Sequence, residues 1–238
     1  MTRRKLAGLT FGTLLFMACC FALWKISDSR TFQFFGSIVP RVEASDKIIA
    51  LTFDDGPTPV FTDEILQLLE NEDVKATFFL IGGELEKHPD EGKKIAAAGH
   101  EIGNHSFSHQ RMLFVMPSFV KSEIERTDEL IRAAGFHGQI HFRPPFGKKL
   151  FTVPYYLSRN NRTTITWDIE PESHPEVATN PEKLAEYAIS NTRNGSIILL
   201  HVMYDRERKS MYSVKPLIRA LKAEGFRFVT VSELVVTK

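Results

Sequence analysis

From Lys47 onward, short continuous apolar runs alternate with longer stretches in which apolar residues recur every three or four positions. The runs 47–53 (KIIALTF), 74–80 (VKATFFL), 100–104 (HEIGN), 139–143 (QIHFR), 163–168 (TTITWD), 196–201 (SIILLH) and 226–230 (FRFVT) predict strands. A run such as SIILL is apolar on both faces, as a strand covered on both sides requires. Helix punctuation falls between the runs. Thr62, Ser118 and Asn180 predict N-caps, the last with Pro181 at the first helical position. Gly99, Gly135 and Gly225 predict helix ends, where glycine accepts a left-handed backbone. Strand–helix alternation over about seven strands predicts an α/β fold, a mainly parallel sheet with outer helices, open or closed into a barrel.

The first 46 residues follow another pattern. Arg3, Arg4 and Lys5 precede 19 uncharged, largely apolar residues at 6–24. That length is close to the roughly 20 residues that cross a bilayer, and the basic flank sets an N-in orientation. Residues 1–27 therefore predict a membrane anchor, or alternatively a cleaved export signal. The anchor is preferred because the run is long for a signal and no small-x-small cleavage site is evident. In either case the rest of the chain works outside the cytoplasm, secreted or periplasmic if the segment is cleaved. Residues 28–46 read as a connector, with Phe32, Phe34 and Phe35 as possible docking points, and 47–238 as one catalytic domain.

Composition narrows the chemistry. A chain of 238 residues, 43% hydrophobic, supports one substantial core. A net charge of +1 gives no basic field for nucleic acid. Cys19 and Cys20 are adjacent and are the only cysteines, which excludes a disulfide framework and a cysteine zinc site. Any metal must be held by His, Asp or Glu.

In parallel α/β folds, functional residues gather at the carboxyl ends of strands. Asp54 and Asp55 end the first predicted strand, and His105 and His109 follow the third. Arg143 ends the fourth, Asp168 and Glu170 follow the fifth, and His201 ends the sixth. Singly, these read as a turn, surface histidines, a strand cap and a core histidine. Together they predict a metal site. His105 and His109 are four apart and can share one face of a helical turn. Two histidines and one carboxylate leave coordination positions open, as metal-assisted hydrolysis needs. With nitrogen and oxygen ligands, zinc is the default, and cobalt, nickel or manganese could take its place.

The chain resembles the NodB-homology polysaccharide deacetylases of carbohydrate esterase family 4, over about residues 47–238. TFDDGP (52–57), HSFSH (105–109), RPPFG (143–147) and the Leu-His end of SIILLH are similar to the family's first, second, third and fifth motifs. The resemblance implies a distorted (β/α) barrel. It implies removal of acetyl groups from N-acetylated amino sugars in peptidoglycan, an exopolysaccharide or a chitin-like polymer, with a metal-bound water as nucleophile. Asp55, His105 and His109 are then the ligands of one divalent metal, and Asp54 is the general base. Arg143 is the base's ionic partner, the backbone N–H of Phe146 an oxyanion donor, and His201 the general acid. Pro145, Trp167 and Leu199 are expected to line the substrate pocket.

One motif departs. The family's fourth, commonly Asp-x-x-Asp-Trp after a tryptophan, aligns on Trp167 and puts Glu170, Ser173 and His174 at its three fixed positions. Of Asp168, Glu170 and Glu172, Glu170 is the expected acid that orients His201. The expected partners are a polysaccharide or oligosaccharide substrate and, through the N-terminal segment, the membrane, with a monomeric catalytic domain. Two rivals stand beside this reading. One is an O-acetyl esterase on a polymer such as acetylated xylan. The other is a membrane-tethered carbohydrate-binding protein without turnover, against which the intact Asp54 argues.

Overall fold

Residues 48–54 are buried at every position and form the strand around which the domain is built. In this computed structural model, residues 3–204, 206 and 208–237 are described, with side chains from residue 11 onward. The elements are α1 (Arg3–Ser27), β1 (Ile38–Val39), β2 (Ile48–Asp54), α2 (Pro59–Asn71), β3 (Thr77–Leu80), α3 (Gly82–Lys87), α4 (Pro89–Ala97) and β4 (Glu101–Asn104). There follow α5 (Pro117–Ala133), α6 (Thr152–Arg159), β5 (Thr164–Ile165), α7 (Pro181–Asn191), β6 (Ile197–Leu200), α8 (Lys209–Ala223), β7 (Arg227–Val229) and α9 (Val231–Val236). Short 3-10 turns form at Pro145–Gly147 and Pro171–Ser173.

Among the described residues the strands pair in parallel, and a single antiparallel bridge joins Arg41 to Ser196. The main sheet runs β4-β3-β2-β6, and β7 pairs with the start of β2. Single bridges carry the circuit onward: Phe142 joins Asn104 to Thr164, and Ile169 joins Ile198 of β6. The result is a distorted (β/α) barrel, half of which is held by single bridges rather than continuous strands. The predicted strand 139–143 is one of these places. Prolines 144 and 145 follow it and have no N–H to donate, so its pairing stops after His141 O and Arg143 N bond the backbone of Asn104 at 2.8 and 3.0 Å.

Alternation along β2 sorts its side chains. Ile49, Leu51 and Phe53 pack in the core group that includes Ile65 and Leu69 of α2 and Val214 and Leu217 of α8. Ile48 and Ala50 belong to the other, with Phe79, Trp167, Ile197 and Leu199. Thr52 and Asp54 continue this second register. Thr52 is the partner of Leu199 across the ladder. Asp54 therefore points into the barrel at its carboxyl end.

Several helix ends fall where expected. Gly99, Gly135 and Gly225 have φ of 76, 92 and 89°, and Asn180 Oδ1 accepts from Lys183 N at 2.9 Å. Helices α2 and α5 start earlier than Thr62 and Ser118, because Pro59 and Pro117 open their first turns. The segment 28–46 is more than a connector. Strand β1 pairs with β5, Val39 and Val42 are buried, and Phe34 stacks on Phe151 with ring centroids 4.8 Å apart. Phe35 meets Tyr155 edge-on. Among the described residues no helix is long and apolar enough to cross a membrane. The membrane span expected at 6–24 is not found there, and the side chains of residues 6–10 lie outside the description.

Candidate active site

Arg143 is fully buried beneath the carboxyl ends of the strands. Its Nη1 donates to Asp54 Oδ1 at 2.6 Å and to Thr52 Oγ1 at 2.9 Å, and its Nη2 to Thr166 O at 3.0 Å. The guanidinium carbon lies 4.0 Å from the Phe79 ring centroid. Burial pushes the Asp54 carboxyl up, but Arg143, His105 and His201 together outweigh it and hold the group below the usual carboxylate range. Asp54 is thus a buried, ionised carboxylate with one oxygen committed to Arg143.

Asp55 departs from the strand with a left-handed backbone, φ 76°, which swings its side chain to the rim. The loop after β4 brings up two imidazoles. The expected helical turn over 105–109 does not form. Left-handed residues at Ser106 and His109, φ 65 and 55°, fold the loop instead. Asn104 Oδ1 accepts Ser106 N at 2.8 Å, and Glu123 Oε2 accepts Phe107 N and Ser108 N at 3.0 and 2.8 Å. Such strained residues concentrate at functional loops when the surroundings fix them.

Donor atoms of Asp55, His105 and His109 all lie within 4.8 Å of one another. The Nε2 atoms of the two histidines are 3.2 Å apart, and His109 Nε2 is 3.3 Å from Asp55 Oδ1. His105 Nδ1 donates to Arg143 O at 2.8 Å, which fixes the tautomer that leaves Nε2 with its lone pair. Burial lowers the His109 pKa, as does its neighbour His105, so His109 favours the neutral, ligating form. Asp55 Oδ1 is buried without a hydrogen bond. Two imidazole nitrogens and an unsatisfied carboxylate oxygen directed at one point are a donor set that fits a divalent cation.

His201 lies across the cleft. Leu199 and His201 are two apart, so both continue the inward register of β6. The expectation that Glu170 orients His201 is overturned. Glu172 does so: its carboxylate takes His201 Nδ1–H, and its Oε1 accepts His201 N at 2.9 Å. Ser210 Oγ donates to the same carboxylate. Glu170 lines the same cleft but has other partners, accepting from Trp167 Nε1 at 3.0 Å and Arg30 Nη2 at 2.6 Å. Asp168 is spent on Ser196 Oγ and Ile197 N, at 2.9 and 2.8 Å. Burial alone would lower the His201 pKa, but the Glu172 hydrogen bond and charge, with Asp54 and Asp55, raise it to about 9. Burial would raise Glu172, and His201 and Ser210 more than offset that, so Glu172 stays ionised.

These groups open on one cavity of about 460 Å³. Trp167, Leu199 and Phe146 line it with the three donor residues, Asp54 and His201. Pro145 is buried behind Phe146, whose φ of 57° turns the RPPFG loop at the cleft. Of the expected site residues, all but Arg143 and Pro145 line this one space, Glu170 included, and Arg143 reaches it through Asp54. Glu172 was weighed from sequence as one of three acids but not chosen, and Glu123, Asn104, Asp28 and Arg30 were not singled out. For Glu123 the signal was available: it is an acid on the buried face of an amphipathic helix.

Fold and site together define a hydrolase on a (β/α) barrel. The chain belongs to the polysaccharide deacetylase family, whose profile matches residues 41–169. It is 31% identical over 205 residues to a peptidoglycan-N-acetylglucosamine deacetylase of Bacillus cereus, covering 84% of this chain and 93% of the relative. It is 32% identical over 166 residues to a chitooligosaccharide deacetylase of Sinorhizobium fredii, covering 68% and 75%. Among solved structures, a peptidoglycan N-acetylglucosamine deacetylase in complex with 4-naphthalen-1-yl-N-oxidanyl-benzamide superposes with a TM-score of 0.74. Its identity is 32%, with coverage of 81% of this chain and 89% of that one. The protein is therefore a polysaccharide deacetylase.

Proposed function

We propose that the protein hydrolyses the N-acetyl group of an amino sugar within peptidoglycan or a related polymer, outside the cytoplasm, with a divalent cation held by Asp55, His105 and His109. One observation carries this reading. A buried carboxylate held by a guanidinium, Asp54, and a carboxylate-held imidazole, His201, line the same cavity as that donor set. When bound, the cation, zinc by default, would lower the pKa of a water and polarise the acetyl carbonyl.

The chain supplies the rest. Asp54, kept ionised by Arg143, takes a proton from the attacking water. Arg143 also fixes the carboxylate's orientation, leaving Oδ2 toward the cleft, 3.6 Å from His105 Nε2. The backbone N–H of Phe146 donates to the developing oxyanion, and Leu199 and Trp167 enclose the acetyl group. His201, protonated up to about pH 9, delivers a proton to the leaving amine, and Glu172 stabilises the imidazolium. An amine is a poor leaving group without that proton, so an acid tuned this high favours amide over ester hydrolysis. Helix α1 carries exposed Phe11, Leu15, Phe16 and Phe21.

The test is acetate release by the full chain from N-acetylglucosamine oligomers, peptidoglycan and acetylated xylan, before and after chelation and zinc reloading. Release from the N-acetylated substrates is expected to stop with chelator and return with metal. Asp54→Asn is expected to lower it by about 10²–10⁴-fold while sugar binding persists. Release from acetylated xylan alone would refute the amide reading.

A further inference from the structure

Residues 27–30 form a strap along the catalytic cleft, upstream of the family match at 41–169. Its main chain is tied down at each step. Lys149 N donates to Ser27 O at 3.1 Å, and Thr166 Oγ1 donates to Arg30 O at 2.7 Å. Lys149 Nζ, itself buried, reaches Ser29 O and, at 3.4 Å, Gly147 O of the RPPFG loop. Asp28 pairs with Lys148 at 2.8 Å. The strap therefore shares its anchors with the loop that carries Phe146.

Two strap side chains, Asp28 and Arg30, line the cavity that holds the donor set and His201. The Arg30 guanidinium lies 4.8 Å over the Trp167 ring and bonds Glu170 Oε2 at 2.6 Å. Glu170 in turn holds Trp167 Nε1. The guanidinium is thus fixed in orientation by a ring beneath it and a carboxylate at one edge. About a third of the side chain stays open, 36%. A guanidinium offers five N–H donors in one plane, and Glu170 engages only one corner. Charge on this wall is balanced, Arg30 by Glu170 and Asp28 by Lys148, so it suits neutral hydroxyl groups better than an anion.

Building on the deacetylase reading above, we propose that Arg30 is a specificity-determining residue that hydrogen-bonds the hydroxyls of the amino sugar, with the strap as one wall of the substrate cleft. The sugar ring then lies against Trp167 and the guanidinium, and the acetyl group reaches toward Leu199. The favoured substrate unit is a neutral N-acetylhexosamine.

The test uses the full chain. KM and kcat for acetate release from an N-acetylglucosamine tetramer are measured for the unaltered protein, Arg30→Ala and Arg30→Lys. Tetramer Kd is measured by calorimetry in an Asp54→Asn background with and without Arg30→Ala. Loss of a charge-assisted bond is expected to raise KM and Kd about 10-fold with kcat changed by less than about two-fold. Arg30→Lys keeps the charge but not the plane and should recover little. The strap's backbone ties do not use the guanidinium, so the variants should fold. Unmoved KM and Kd in Arg30→Ala, or a fall in kcat alone, would overturn the assignment while leaving the deacetylase intact. No acetate release by the unaltered chain would sink the deacetylase reading, and this one with it.

Discussion

Glu172→Gln keeps the shape of the side chain that holds His201 and removes its charge. Burial would hold the His201 pKa down; Glu172 is the first influence that raises it, to about 9 from an ordinary 6.5. At about 1.4 kcal/mol per pH unit, the net elevation corresponds to about 3 kcal/mol at face value. The imidazole is enclosed by protein on most sides, yet 37% of the side chain faces the cleft. Solvent screening there reduces the Glu172 contribution to about 1–2 kcal/mol. His201 acts as an acid, so activity falls as pH rises through its pKa. The alkaline limb of the kcat profile is expected to move down by about one pH unit in Glu172→Gln. A cation bound by Asp55 lowers the limb in both proteins, so the comparison is differential.

The sign for stability follows from the same coupling. A histidine whose folded pKa is raised stabilises the fold fully below pH 6.5, and that contribution is lost as pH rises through about 9. Glu172→Gln should therefore lower the melting temperature more at pH 6 than at pH 10. The assay is a pH–rate series of acetate release for the unaltered chain, Glu172→Gln and Glu170→Gln. An unmoved limb in Glu172→Gln, or a moved one in Glu170→Gln, would refute the assignment of the orienting acid.

Two more outcomes test the site and its frame. Asp55→Ala and His105→Ala should each lose the cation on dialysis, read as zinc per chain by elemental analysis. Retention of a full equivalent in both would remove these residues from the donor set. Gly195→Ala should destabilise the fold by more than about 2 kcal/mol, read by urea unfolding. A Cβ there meets Val42 O at 1.8 Å with φ at +77°, so an unchanged midpoint would contradict the packing of 28–46 on the barrel.

How far the sequence reached can be argued from single residues. Asp54, Asp55, His105, His109, Arg143 and His201 were legible because each ends or follows a buried run, and a parallel fold sends such ends to one face. The ladder register of β2 and β6 then decides which of them point inward. The convergence of His105 and His109 was legible too, though not its means: left-handed residues in a loop braced by Asn104 and Glu123 replace the helical turn. Glu170 and Glu172 were not separable. In a continuing strand, residues two apart would face the same way, and either acid could meet His201. Glu170 is extended, at φ −145 and ψ 88°, but a 3-10 turn starts at Pro171. That turn breaks the alternation, sending Glu172 to His201 and leaving Glu170 with Trp167 and Arg30. Arg30 was illegible for a related reason. It lies more than a hundred positions from its partners Trp167 and Glu170, in a stretch without periodicity. Its place depends on Lys149 and Thr166 holding backbone carbonyls. Local pattern can reveal a face that must be buried, but not which distant carbonyl a lysine will hold. The 3-10 turn at Pro171 thus sets both partnerships at once: Glu172 holds the histidine, and Glu170 anchors Arg30 of the N-terminal strap.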